Sequence, residues 1–145
     1  MDSNNEEEIR AVVEERIAAM RGKDAARAVA VLAEDVVAFE LAPPLALPPG
    51  AARDAEGLAA WLSGFEAIDV EVRDMTIEAD GGVAFAHALH HLTGTRTGGA
   101  PVSLWMRSTL CFRREAGGWK MAHAHTSVPF LMDGSFRAAV DLKPE

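Results

Sequence analysis

The sequence is short of cysteine and of aromatic side chains: it has one cysteine, no tyrosine and three tryptophans in 145 residues. A lone Cys111 cannot close an intrachain disulfide, which suits a reducing cytoplasm. Cations are scarce as well. Fourteen Lys and Arg face 22 Asp and Glu, for a formal net charge of −8. That balance argues against binding nucleic acid or an anionic membrane through a general electrostatic field. No uninterrupted apolar run reaches the length of a membrane span. The N-terminus is acidic (Glu6, Glu7, Glu8) where a leader peptide needs a basic segment and then an apolar one. A cytoplasmic location is expected. There is no Cys-x-x-Cys or His-Glu-x-x-His spacing, and the sequence leads us to expect no metal and no cofactor. The glycine pairs at 81–82, 98–99 and 117–118 do not join a strand to a following helix, so they read as turns and not as a phosphate cradle.

A hydrophobic content of 49% in a chain of this length predicts one globular domain, residues 1–145. Residues Asp2–Asn5 offer helix caps. Ile9, Val12, Val13, Ile17 and Met20 then recur on one helix face as far as Gly22. Asp24 can cap a second short helix carrying Ala25, Ala28, Val29 and Leu32. A strand is predicted over Val36–Leu41, followed by the loop Ala42–Ala52, which holds four of the seven prolines. Asp54 can cap a third helix with the stripe Leu58, Trp61, Leu62 and Phe65. From Ile68 the period becomes two. Its phase slips between Val72 and Met75, the mark of a bulge near Arg73–Asp74. Val83–Thr95 and Val102–Arg114 are longer strand-like runs, and Trp119–Thr126 follows a Gly-Gly turn. The order predicts an α+β fold: an antiparallel sheet backed by helices from the first half of the chain.

Strict alternation in the last strand would place Trp119, Met121, His123 and His125 on one face, an apolar floor with polar handles at one end. On the strand before it, Trp105, Arg107, Thr109 and Cys111 share a face, while Leu104, Met106, Ser108, Leu110 and Phe112 look like ordinary core. An Arg between Trp and Thr suits an anchor for an oxyanion. The bland alternative is a surface or dimer-face ion pair. His123 and His125 are the spacing of a metal pair on a strand, with hydrogen-bonding or structural histidines as the alternatives. His90 and His91 are adjacent and must point to opposite sides. Trp61 is core or a pocket wall, and Cys111 a buried, inert thiol.

This order of elements, with the terminal run W-K-M-A-H-A-H-T-S-V-P-F, resembles the nuclear-transport-factor-2-like superfamily over nearly the whole chain, and within it the SnoaL-like and ketosteroid-isomerase-like branch. The GGWK turn and the H-x-H-x-S-x-P tail are also similar to the association domain of calcium/calmodulin-dependent kinase II. The resemblance implies a cone: a curved antiparallel sheet wrapped around N-terminal helices (a cystatin-like fold) with a pocket at its open end. Lys23–Glu40 matches the isomerase segment ending in the general base, which implies that role for Glu40. The family's oxyanion tyrosine falls near Arg16 and its oxyanion aspartate near Thr109. Without those donors, steroid isomerisation is disfavoured. The function expected is therefore a small-molecule-binding protein taking a small apolar ligand with an oxygen function, and working as a homodimer. The alternatives are an enzyme of the same fold doing proton transfer (isomerase, cyclase or dehydratase) or a non-catalytic oligomerising hub. Glu40, His123 and His125 are the candidate catalytic residues, and Trp61, Trp105, Arg107 and Thr109 the candidate ligand contacts. Glu40, Arg107 and at least one of His123 and His125 are expected in one pocket beside Ala42–Ala52.

Overall fold

The computed structural model describes residues 2–145, with side-chain surroundings from Asn4 onward. The elements run α1 (Asp2–Arg21), α2 (Ala25–Ala30), β1 (Leu32–Phe39), α3 (Ala55–Leu62), β2 (Phe65–Asp80), β3 (Val83–Arg96), β4 (Pro101–Glu115) and β5 (Gly118–Ser127). The α+β class and the count and order of elements are those expected. The Asp24 carboxylate accepts the Arg27 amide at 3.1 Å and that of Asp54 the Gly57 amide at 3.1 Å, so both act as the helix caps foreseen. α1 already begins at Asp2, and its cap lies outside the described residues. Asn4 and Asn5 are helical instead, and Asn5 accepts from Arg114 across to β4.

Two apolar residues given to helices start strands. Leu32 opens β1, because the Val31 carbonyl accepts the Met121 amide (2.9 Å) and draws the chain onto the sheet. Phe65 opens β2, with the ring of Trp61 edge-on to it at 5.0 Å.

One five-stranded sheet has the order β1-β5-β4-β3-β2. Strands β2 to β5 form an antiparallel meander, while β1 lies parallel to β5. A hairpin forces neighbouring strands to be antiparallel. No such constraint links β1 to β5, which are distant in sequence and both enter from the same end. The free edge of β1 is covered by its own loop: Leu47 and Gly50 donate backbone N–H groups to Ala38 and Val36 at 3.3 and 2.8 Å.

Register breaks curve the sheet. In β2 the pairing slips between Arg73 and Thr76, with Asp74 at φ 57°, as the phase change predicted. Further slips, between Phe65 and Ala67 in β2, between Leu32 and Val37 in β1, and in β5, were not foreseen. Phe112 pairs with Met121 and Cys111 with His123, which leaves Ala122 as the extra residue.

The concave face packs on the helices as two apolar clusters. One joins Ile9 and Val13 of α1 to Val36, Ile77, Ala86, Leu110, Phe112, Trp119 and Met121. The other joins Ala25, Leu62, Phe65 and Ile68, with Met20, Leu92 and Val102 packed against it. Along β3 the first cluster stops at Ala86 and the second resumes at Leu92. The seam between them is what positions the site.

Candidate functional site

The extra residue at Ala122 decides which side chains meet. Trp119 and Met121, 4% and 3% exposed, face the helices. Beyond the bulge the parity reverses, so His123 pairs with Cys111 and His125 with Thr109 on the outer face. The expectation that Trp119, Met121, His123 and His125 share one face is corrected on this ground.

Trp105, Arg107 and Thr109 lie on that same outer face, since Leu110 and Ser108, at the alternate positions, are buried inward. A row runs across the sheet from Thr76 through His87, Thr109 and His125 to Phe39. The Phe39 ring meets His123 and His125 edge-on at 5.0 and 5.5 Å. The Nδ1 nitrogen of His123 lies 2.7 Å from the Val37 carbonyl oxygen. Trp105 stacks on His91 at 4.2 Å, and His91 is held between the Ser103 hydroxyl (2.8 Å) and the Glu71 carboxylate (3.5 Å). Arg107 is exposed, opposite Leu89 and Ser127.

Glu40 is on the other side. It is exposed, one residue past the end of β1 and in step with the inward-facing Val36 and Ala38, and its charge acts on Arg16 of α1. A single pocket holding Glu40, Arg107 and His123 or His125 therefore does not form, because the sheet separates the first from the rest. Trp61 sits apart from both groups, 43% exposed on α3 beside Phe65. Two surface depressions, of about 530 and 600 Å³, lie elsewhere: one beside Arg53, Arg113 and Lys120, the other over Phe85 and Cys111. Burial raises the Cys111 thiol above its ordinary range, as an unreactive cysteine requires. Among the described residues no three His, Cys, Asp or Glu side chains converge on a point that a metal could occupy.

The seam beneath α1 holds polar groups that the sequence reading passed over. Arg16 lies on the inward stripe with Ile9, Val13 and Met20, and its Nη1 donates to the Ala28 carbonyl at 2.7 Å. Burial pulls the Arg16 guanidinium below its ordinary range, with the Glu40 charge opposing that shift. Ser108 is 4% exposed and its hydroxyl has no partner. It pairs with Ala88 on β3 and Thr126 on β5. One step along β3, His90 faces the same side, pairs with Met106, and has a buried Nε2 with no partner. The legible signals were an arginine within an apolar helix stripe and a lone hydroxyl within the core run Leu104–Phe112.

Burial also lowers the pKa of His90. The unfolded chain then binds the proton more readily than the folded one, with an ordinary value near 6.5. His90 should contribute stability above about pH 6.5 that is lost as the pH falls through that value towards the lower folded pKa. Urea unfolding of the wild type and His90→Leu between pH 8 and 5 checks this: the pH-dependent loss should shrink in the variant.

The family model for the SnoaL-like domain matches residues 9–131, most of the chain. The chain belongs to the SnoaL-like family. This SnoaL-like protein is similar to a nuclear-transport-factor-2-like protein of unknown function from Pseudomonas putida KT2440, with 29% identity, 98% of each chain covered and a TM-score of 0.84. It shares its fold with a candidate ketosteroid isomerase from Shewanella frigidimarina (21% identity, 81% and 92% covered, TM-score 0.65). A candidate calcium/calmodulin-dependent protein kinase II association domain from Xanthomonas campestris has it too (16% identity, 83% and 84% covered, TM-score 0.71). No curated protein matches significantly. Both resemblances read from the sequence are thus found among the fold neighbours. No helix among the described residues is long and apolar enough to cross a membrane.

Proposed function

We propose that this SnoaL-like protein binds a small, largely apolar molecule in the seam between α1 and the concave sheet face. The observation that carries the reading is the Ser108 hydroxyl, buried without a partner between two apolar clusters. Native interiors pair nearly all buried polar groups, because an unpaired one costs about 1–3 kcal/mol. A ligand that supplies the missing partner removes that cost. The side chains at Ala88 and Ala124, on the strands flanking Ser108, are small, and the Glu40 charge acts on the Arg16 guanidinium of α1. The candidate ligand contacts therefore move from the outer face to the concave one, with Glu40 retained. Native mass spectrometry of the gently purified protein should show a bound small molecule. A ligand-free mass, with no thermal stabilisation by a panel of apolar ring compounds, would overturn the reading.

The outer face suits a second copy of the chain, and the working form is proposed to be a cytoplasmic homodimer. The centre of that face, on β3 to β5, carries Leu89, Thr109, His87 and His125, with Arg107 among them and Arg113 further along β4 beyond Cys111. On β2, Glu71, Arg73 and Glu78 stand opposite His91, Leu89 and Phe85, so the charges at this margin are of both signs. A surface with few like charges can meet its own copy without repulsion. Light scattering at micromolar concentration should report twice the chain mass, and a monomer there would remove the dimer.

A further inference from the structure

Beyond β5 the chain folds into a segment that packs on little of its own molecule. Residues 129–139 close a small hairpin: the Leu131 amide donates to the Arg137 carbonyl at 2.7 Å and the Ala139 amide to the Pro129 carbonyl at 2.8 Å. At its tip the Asp133 carboxylate accepts the Ser135 amide at 3.0 Å. From 131 to 143 every residue but Ala139 is exposed. Six of the eleven large apolar side chains exposed among the described residues lie at 130–142, with Met132 96% and Phe136 80% exposed. Phe136 is held at φ 58°, a left-handed backbone that a ring-bearing residue adopts only at a cost. A hairpin fixed by its own hydrogen bonds yet apolar on the outside marks a segment that meets another surface. The outer sheet face offers one: the apolar depression of about 600 Å³ over Phe85 and Cys111, where Val83 and Phe85 are exposed. We infer that in the homodimer each such hairpin docks in the partner's depression, with Phe136 and Met132 as its anchors. This rests on the outer-face dimer above and names the segment and the hollow that hold it together.

Three observations select a second copy of the chain as the occupant. The first is position. Cys111 and Arg107 stand two residues to either side of Thr109 on β4, and Arg107 pairs with Ser127, the last residue of β5, from which the hairpin departs. A twofold axis lying across the strands at Thr109 carries the depression of one copy to the root of the other's hairpin, and the reverse, so both contacts form at once and the assembly closes. Within one chain the two stay apart, because β5 leads away from Ala122 at about 3.3 Å per residue. The second is charge. Glu78 and Asp80 rim the depression and Arg137 stands on the hairpin, and none of the three has an ion-pair partner among the described residues. A rim acid facing Arg137 would set the orientation of docking. The third is order. The hairpin is already closed by its own bonds, so docking fixes few further torsions. An anionic membrane is the poorer partner, since Asp133, Asp141 and Glu145 outnumber Arg137 and Lys143 in this segment.

The test mixes two variants of the full chain. Phe136→Ser removes the anchor and keeps the depression, while Phe85→Ser does the converse. If each docked hairpin tightens the dimer about tenfold, either variant alone loses both contacts and should dissociate about a hundredfold more readily by sedimentation velocity. A mixed dimer keeps one intact hairpin against one intact depression and should be only about tenfold weaker than the wild type. Native mass spectrometry of an equimolar mixture, with one copy isotope-labelled, should therefore show the mixed dimer in excess of the statistical half. Circular dichroism should find both variants folded, since both side chains are exposed in the single chain. Should Phe85→Ser fail to fold, Val83→Ser takes its place. Variants that dimerise as tightly as the wild type would leave the outer-face dimer standing and overturn the docked hairpin, which would then belong to a different partner. Weakened variants whose mixed dimer stays at the statistical half would overturn it too, because the losses would not be reciprocal. A wild type that is monomeric at micromolar concentration would sink the docking and the dimer together.

Discussion

Gly94→Val is expected to destabilise the fold by about 3 kcal/mol or more, lowering the melting temperature by roughly 10 °C. Gly94 pairs with Ile68 across β2 and β3, just beyond the register break at Phe65–Ala67. A Cβ there would run into the Ala67 carbonyl oxygen and come within 3.2 Å of the Ile68 Cα. Both obstacles are backbone, so relief requires the strands to part. Ile68 is 3% exposed and belongs to the cluster holding Phe65 and Leu62, so parting them exposes core. Differential scanning calorimetry of the variant beside Gly82→Ala checks the point. A Cβ at Gly82 meets nothing within 4 Å, and that change should cost far less. A Gly94→Val protein that melts with the wild type would contradict the tight β2–β3 approach.

Thr109→Arg is expected to convert the proposed dimer to monomer, weakening self-association by about a thousandfold, or ~4 kcal/mol. Thr109 is the middle of the outer row, between His87 and His125, and is exposed in the single chain. In a twofold contact the same patch meets itself, so one new cation becomes two, placed near both Arg107 side chains. Because the site faces away from the core, the monomer should keep its fold and its ligand affinity. Sedimentation velocity and circular dichroism on one sample separate these outcomes. A variant that remains dimeric would place the contact on another surface. A variant that unfolds would mean that this face supports the chain itself.

The concave site and the outer row show why parity arguments succeed on one strand and fail on the next. On β4 the alternation is unbroken from Leu104 to Phe112, and the core set read from it is the set that faces the helices. On β5 the same argument carried His123 and His125 to the wrong side. A bulge in Lys120–Met121–Ala122–His123 leaves no mark when small and large residues occupy both parities. The bulge in β2 was legible because Val72 and Met75 are apolar on either side of the slip, with Arg73 and Asp74 between them. Glu40 was traced through a continuous segment match. Its position on the helix-facing side follows from Ala38 being buried, which sequence could not show. Ser108 was read as ordinary core and His90 only as facing away from His91, because a hydroxyl or an imidazole in a core run is usually satisfied by a neighbour. Whether a partner exists depends on groups from β5 and α1, brought there only by folding.

The sequence by itself determined the class, the order of the elements, the two aspartate caps, the bulge in β2 and the family. Each of these depends on local periodicity, on a capping side chain within one turn, or on a motif contiguous along the chain. Tertiary structure alone decided the parallel seating of β1 on β5, the reversal at Ala122 and the polar seam beneath α1. Those depend on register between strands far apart in sequence. A slip of one residue moves a side chain through the sheet at little local cost, so the packing of both faces, and not the chain's own pattern, sets the outcome.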